Sequence, residues 1–264
     1  MTRISAPRAI ALVVWLVLLT FRAIHVIGRV PGLLGAAVSI ALMAAGNAHA
    51  QDWPELPLPP KADVQWIAQS MRVNGIPTRV LQFQSRASRA EIVEYYRAHW
   101  TGAYPQKPSV RAVQDSTVVG QKHGPYLMTL SLRDAAHHGS EGLIAVAQVA
   151  GSKTDLDPGA LPMMPGAHVV QVIESDDPGQ RSRQLMIVNP QPAAAVLQFY
   201  QASFQDAGWQ QIQLNEISRT TRGGGGSFLV LARDNSEMQI SIEATQGRGT
   251  WLLANLVTKG TGPE

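Results

Sequence analysis

The spacing of apolar and polar residues predicts strands in two similar blocks of the chain. In the first block, apolar positions alternate on both sides of Asn74-Gly75, a dipeptide typical of two-residue hairpin turns. In the second block, Met238, Ile240 and Ile242 alternate with polar side chains. Such strands have one buried and one solvated face, which is typical of an antiparallel sheet.

Each block also contains one segment with the apolar spacing of a helix. Ser88 and Glu91 form a capping box that begins the first helix. Asn189, as cap, and Pro190, in the first turn, begin the second helix. Four apolar residues with the same spacing lie on one face of each helix. They are Ile92, Val93, Tyr96 and Trp100 in the first helix, and Val196, Leu197, Tyr200 and Phe204 in the second.

The two blocks match each other when the chain is shifted by 104 residues without a gap. This shift pairs Arg79 with Arg183 and Tyr96 with Tyr200, and it superimposes the two helix faces. The order of strand pair, helix and later strands is the same in both blocks, which favours a duplication over a chance match. We therefore predict an α+β fold, built as a tandem duplication of a ββαβββ unit in which one helix covers an antiparallel sheet.

Proline and glycine mark the boundaries of these units. Residues 51–60 contain four prolines and form a Pro-rich arm, which we interpret as a spacer rather than a docking peptide. Residues 151–166 have spaced Gly and Pro and no apolar periodicity, so we interpret them as a linker. The predicted organisation is a leader at 1–50, the Pro-rich arm at 51–60, a first unit at 61–150, the linker at 151–166, a second unit at 167–258 and a tail at 259–264.

The first 50 residues have the features of an export leader. They hold two apolar runs, Ala9–Phe21 and Val30–Ala45, each shorter than the ~18–20 residues that a membrane-spanning helix needs. Ala48 and Ala50 form a small-residue cleavage signal after the second run. We therefore predict a cleaved signal peptide and a periplasmic or extracellular protein. The alternative is an uncleaved leader that anchors the chain in the inner membrane.

Charge and cysteine content exclude several classes of protein. Four of the 22 basic residues and none of the 19 acidic residues lie in the leader, so the remaining chain has 18 basic and 19 acidic side chains. It shows no clustered basic field, which a nucleic-acid-binding protein needs. The chain has no cysteine, which excludes disulfides, thiolate metal ligands and lipid attachment at the cleavage site.

The second helix carries a short pattern, Phe199-Tyr200 followed by Gly208-Trp209. This pattern resembles one found in uncharacterised small bacterial exported domains, and it covers about one helix per unit. The first unit departs from it, because it has Tyr95-Tyr96 but no Gly-Trp pair at the end of its helix. The resemblance implies the fold and an envelope location, and it implies no activity.

The candidate catalytic and ligand-binding motifs are all incomplete. His137-His138 lacks the spacing of a zinc site, so we predict a solvated turn and no metal. Gly223–Gly226 is not followed by Lys, so we predict a flexible hairpin loop rather than a phosphate loop, and no cofactor. The chain has no Gly-x-Ser-x-Gly nucleophile motif. His99 lies one residue from the apolar face of the first helix, and we interpret it as a structural residue rather than a base.

These patterns favour a non-catalytic exported protein that binds another component of the cell envelope, such as an assembly or secretion system. One alternative is a hydrolase with its site between the two units, which a converging polar cluster would favour. The other is a carrier of a small ligand. The expected partner is an envelope protein or a cell-wall component, and the pattern gives no oligomeric state. The candidate partner-binding residues are Arg219, Arg222, Gly223 and Gly226 in one loop, and Trp53 and Trp66, whose alternative role is core packing.

Cleavage of the leader is directly testable. We expect the exported protein to begin at Gln51, because the Ala-x-Ala signal ends at Ala50. Intact-mass measurement of the exported chain should show Gln51, or its cyclised form, as the first residue. A full-length chain that is extracted only with detergent would contradict this prediction.

Overall fold

The computed structural model describes most of the chain after the leader. The described residues are 53–100, 107–136, 138–217, 225–245 and 249–260. The leader, His137, Arg219, Arg222 and Gly223 lie outside them.

Twelve strands and two helices occur in the described residues. The strands are β1 (Ala62–Val73), β2 (Ile76–Ser85), β3 (Ser109–Val113), β4 (Ser116–His123), β5 (Tyr126–Asp134), β6 (Ser140–Gln148), β7 (His168–Asp177), β8 (Gln180–Asn189), β9 (Gln210–Ile217), β10 (Gly226–Arg233), β11 (Ser236–Ala244) and β12 (Thr250–Lys259). The helices are α1 (Arg89–His99) and α2 (Ala193–Asp206). Within this part of the chain, neither helix is long and apolar enough to cross a membrane.

The predicted fold class is wrong, because the structure is mostly antiparallel sheet rather than a balanced α+β fold with a covering helix per unit. The helices have only 11 and 14 residues, which makes them ~17 and ~21 Å long at ~1.5 Å per residue. Six strands spaced by ~4.8 Å extend over ~24 Å. One helix of this size therefore lies over only part of such a sheet.

Each block has the order ββαββββ, with one strand more than predicted. In the first block, the additional strand lies after the helix, where residues 109–123 form two strands, β3 and β4. They are separated by a tight turn at Gln114-Asp115, in which Gln114 adopts a φ of 52°. Nothing in the sequence marked this turn, because it contains neither Gly nor Pro.

The residues cluster into two compact units. The first contains the described residues up to Ile67 together with Val80–Val146, and the second contains Ala68–Arg79 and the described residues from Ala147 onward. The strand order is β3-β4-β5-β6-β2-β1 and continues β7-β8-β12-β11-β10-β9, so that twelve strands form one hydrogen-bonded series. The tip of the β1–β2 hairpin thus belongs with the second unit.

The hairpin tip is fixed by Asn74, which is 2% exposed. Its backbone N–H donates to the Val172 carbonyl at 2.7 Å, and its side-chain Oδ1 accepts from the Val172 N–H at 2.8 Å. Its own carbonyl accepts from the Asp155 N–H at 2.9 Å. Asn74 has a φ of 50°, a conformation that Asn tolerates better than most residues. A Cβ on the next residue, Gly75, would lie 2.9 Å from Asp155 Cβ, so the turn also needs glycine here.

The two helices begin differently. The predicted capping box is confirmed, because the Ser88 side chain accepts from the Glu91 N–H and the Glu91 carboxylate accepts from the Ser88 N–H. The predicted start of the second helix is wrong: Pro192 occupies the N-cap position, and no side chain caps the helix. Asn189 instead accepts from the Gln191 N–H at 2.9 Å, which forms a turn before the helix.

The Pro-rich arm and the linker both contribute to cores. In the first unit, Trp53 and Leu56 pack against the core formed by α1 and the inner sheet face. In the second, Leu161 is buried, and Met163 and Met164 pack against the core under α2. The shift of 104 residues that relates the two units places the arm over residues 155–164 of the linker. The repeated element therefore includes a Pro-containing segment ahead of the first strand.

We expect Asn74→Ala to destabilise the protein by about 2–4 kcal/mol, because it leaves the buried Val172 N–H without its acceptor and puts Ala at positive φ. Asp234→Ala is the matched control, since Asp234 also has a positive φ of 51° but is exposed. It should cost only about 1 kcal/mol. Urea unfolding measures both, and equal losses would show that the hydrogen bond to Val172 contributes little.

Candidate functional site

A cavity of about 210 Å³ lies in the first unit, and we name it the arm pocket. Three elements surround it: the Pro-rich arm, the end of α1, and the hairpin of β4 and β5. Its lining residues are Pro54, Glu55, Pro57, His99, Trp100, Gln121, His123 and Met128.

The base of the arm pocket is formed by the β4–β5 hairpin. Gln121 and Met128 are directly opposite each other in the antiparallel register, and both are buried. His123 lies two residues after Gln121, so both side chains are on the same face of the strand, whereas Lys122 is on the other. The Gln121 side-chain amide donates to the Lys122 carbonyl at 3.0 Å, which fixes its position.

The Pro-rich arm closes one side of the pocket and is held at two points. The Trp53 ring lies against the Tyr126 ring, with a centroid distance of 5.3 Å. The Tyr96 hydroxyl, on α1, donates to the Pro57 carbonyl at 2.7 Å. Burial raises the pKa of Tyr96, because the phenolate would lose its hydration, so this hydroxyl remains a donor throughout the ordinary pH range.

The end of α1 forms the remaining wall. His99 Nδ1 lies 2.7 Å from the Tyr95 carbonyl, and the His99 ring stacks on the Tyr95 ring at 4.0 Å. A carbonyl oxygen only accepts, so Nδ1 carries the proton and Nε2 of the neutral ring is an acceptor. Trp100 is 2% exposed, and its indole Nε1 has no hydrogen-bond partner among the described residues.

Several lining residues of the arm pocket differ from the residues at matched positions of the second unit. The shift of 104 residues pairs Glu55 with Gly159, His99 with Ser203 and Trp100 with Phe204. Tyr96 is retained as Tyr200, which is fully buried, although its hydroxyl has no partner within the described chain. Burial raises the pKa of Tyr200 to about 12. The second unit thus builds a comparable core without the polar groups that line the pocket.

The remaining shifted pKa values have structural causes. A hydrogen bond from Arg89 lowers the pKa of Asp134, and this ion pair joins α1 to β5. Hydrogen bonds from Ser88 lower the pKa of Glu91, which belongs to the capping box. No group of three or more metal-ligating side chains gathers in the described ranges.

A second candidate surface is the first half of β1. On the side away from β2, β1 pairs with β7 only through Met71, Arg72 and Val73. The preceding residues 63–67 are all exposed. Three of them are large and apolar: Val64 is 40% exposed, Trp66 39% and Ile67 43%.

The two tryptophans among the sequence-predicted binding residues lie on different elements of the first unit. Trp66 lies on the exposed half of β1, whereas Trp53 packs against Tyr126. Gly226 begins β10 in the second unit, where a Cβ would lie 2.6 Å from the Ile242 carbonyl oxygen. The loop members Arg219, Arg222 and Gly223 fall outside the described residues.

Sequence reasoning missed most of the arm pocket. It interpreted His99 as a structural residue, and it did not single out Glu55, Gln121 or Met128. One signal was present: the repeat places Gly159 opposite Glu55 and Ser203 opposite His99, so the units differ in polarity at matched positions. The approach of the arm to the sheet is a tertiary contact that no local pattern encodes.

Comparison with known proteins gives limited matches. A family model described as START domain-like matches residues 169–248, which is less than half of the chain and lies within the second unit. One similar solved structure is the apo structure of the immunity protein TplEi of the T6SS from Pseudomonas aeruginosa. It shares 12% sequence identity with this chain, and the match covers 78% of this chain and 85% of that protein. Its TM-score of 0.26 is too low to support an argument about fold or function. No curated protein matches the chain.

The two buried tyrosines give a matched pair of substitutions. We expect Tyr96→Phe to destabilise the protein by about 1 kcal/mol, because it removes the hydrogen bond to Pro57. Tyr200→Phe should be neutral or stabilising, since it removes a buried hydroxyl without a partner in the described chain. Urea unfolding at neutral pH measures both variants. Equal destabilisation by the two would contradict the assigned role of the arm contact.

Proposed function

We propose that this protein is a non-catalytic binding protein of the cell envelope, whose partner adds a strand to β1 along residues 62–67. The observation that supports this proposal is that residues 63–67 of β1 are exposed and lie beyond the part of the strand that pairs with β7. An extended peptide adds to such an edge through main-chain hydrogen bonds, and its alternate side chains meet those of the strand.

Near the hairpin tip, the Asn74 N–H donates to the Val172 carbonyl, and β1 pairs with β7 from Val73 to Met71. The preceding residues of β1 extend past this pairing, so an incoming strand can add to the main chain on that side.

The side chains of this segment favour a protein partner. Val64 and Trp66 share one face of the strand, and Ile67 lies on the other. Edges that avoid pairing usually carry Lys, Pro or a bulge. Within residues 62–67 the only charged residue is Asp63, and there is no proline. An exposed tryptophan is also a frequent anchor of protein interfaces.

The other parts of the proposal rest on separate observations. The envelope location rests on the predicted leader and its Ala-x-Ala signal. The non-catalytic role rests on the sequence, in which the candidate catalytic motifs are incomplete.

Photocrosslinking in producing cells tests the proposed edge. With p-benzoylphenylalanine in place of Trp66, we expect one crosslinked envelope species. Adding Val64→Pro should abolish it, because proline removes a main-chain donor and disfavours strand pairing along the exposed segment. Val64→Thr keeps the N–H and should retain the crosslink.

Ile212 provides the control for position, since it is 63% exposed on β9, an end strand of the sheet order. The photoreactive residue at this position should not capture the same species. Equal capture at both positions, or a crosslink that survives Val64→Pro in a folded variant, would reject strand addition at β1.

A further inference from the structure

We propose that the arm pocket binds a primary ammonium group carried on a short apolar chain. This site is separate from the β1 edge, and it does not depend on the function proposed above. The inference rests on the hydrogen-bonding character of the lining, on its apolar walls and on the comparison of the two units.

The polar groups at the mouth of the arm pocket supply acceptors, whereas the unpartnered Trp100 Nε1–H lies at the buried inner end. Glu55 contributes an exposed carboxylate at the mouth. The contact of His99 Nδ1 with Tyr95 leaves Nε2 as an acceptor in the neutral ring. Gln121 lies at the buried base, opposite Met128, and is not one of these acceptors. An ammonium group has three donors and a positive charge, so it matches this set.

Apart from His123, Gln121 and the Trp100 indole N–H, the lining away from the mouth is apolar and suits a short carbon chain. Pro54 and Pro57 form the arm side, while Met128 and Trp100 are buried at the inner end. A ligand that enters with its carbon chain against these residues keeps its charged end near Glu55 and the exposed His99. A cavity of about 210 Å³ accommodates a chain of a few carbons.

The internal repeat argues that these polar residues serve a ligand rather than the fold. At matched positions the second unit has Gly159 and Ser203 instead of Glu55 and His99. The same scaffold, including its buried tyrosine, is formed there without a carboxylate or an imidazole. Glu55 is also exposed, so it contributes no packing to the core of its own unit.

NMR titration of the mature protein at pH 7.5 tests the proposal with n-butylamine as the probe. The methyl group of Met128, assigned with Met128→Leu, reports binding at the base of the pocket. We expect a saturable shift of this signal with butylamine. n-Butanol, which has the same chain and no charge, should bind at least about fivefold more weakly, because it lacks the charge-assisted hydrogen bonds.

Two variants identify the groups that recognise the ammonium ion. Glu55→Gln should weaken butylamine binding on the order of tenfold, whereas Glu216→Gln, an equal charge change at an exposed residue of β9, should not. His99→Ser places the residue of the second unit at the matched position, and it should also weaken binding while the fold is kept.

The source of the amine is distinguished by a second probe, Nα-acetyl-lysine methylamide. Binding tighter than butylamine shows that the pocket accepts a lysine side chain of a peptide, and weaker binding shows that it selects a free amine. Equal binding of butanol and butylamine, an equal effect of Glu55→Gln and Glu216→Gln, or an unchanged Met128 signal at saturating probe would each overturn the proposal. The wild-type titration decides the matter even if a variant does not fold.

Discussion

The structure depends on one geometric mismatch: a short helix cannot cover a six-stranded apolar sheet face. α1 and α2 place their apolar residues on the sheet, yet each is shorter than the sheet is wide. The uncovered apolar surface has to be buried by another segment, since leaving it in water costs about 25 cal/mol for each Å². The Pro-rich arm in the first unit and the linker in the second provide that cover. Proline suits this task, because an extended segment with few N–H groups leaves few donors unpaired against an apolar face.

The same mismatch explains why a pocket exists in the first unit. An extended arm contacts the sheet at separate points rather than along a continuous face. Here the contacts are Trp53 on Tyr126 and Pro57 on the Tyr96 hydroxyl. The space between these points is closed by side chains of α1 and β4, and the arm pocket is what remains. The pocket therefore arises from the way the sheet is covered, and Glu55 and His99 in its wall differ from the residues at the matched positions of the second unit.

The sequence predicted the local features of this fold well and the long-range ones poorly. The Asn74-Gly75 turn, the capping box at Ser88 and the apolar helix faces all follow from spacing within a few residues, and the structure has each of them. The β3–β4 turn was missed because Gln114 adopts positive φ without the usual glycine. The fold class was wrong because the share of sheet is set by strand pairing, which no single segment encodes. Of the candidate site, Glu55, Gln121 and Met128 were missed, since they meet only through tertiary contacts.

The buried Asn74-Gly75 turn has a chemical consequence for the lifetime of the protein. An Asn-Gly sequence is prone to deamidation, because the glycine nitrogen meets little steric hindrance when it attacks the asparagine side-chain carbonyl. In the folded chain, the Asn74 amide is held by Val172 and only 2% exposed, so the side chain is fixed and water is kept away. Unfolding releases both constraints. Conversion to aspartate or isoaspartate would then place a carboxylate, or an extra backbone atom, in a site shaped for a neutral amide. Each excursion to the unfolded state therefore carries a risk of irreversible ageing at the hairpin tip.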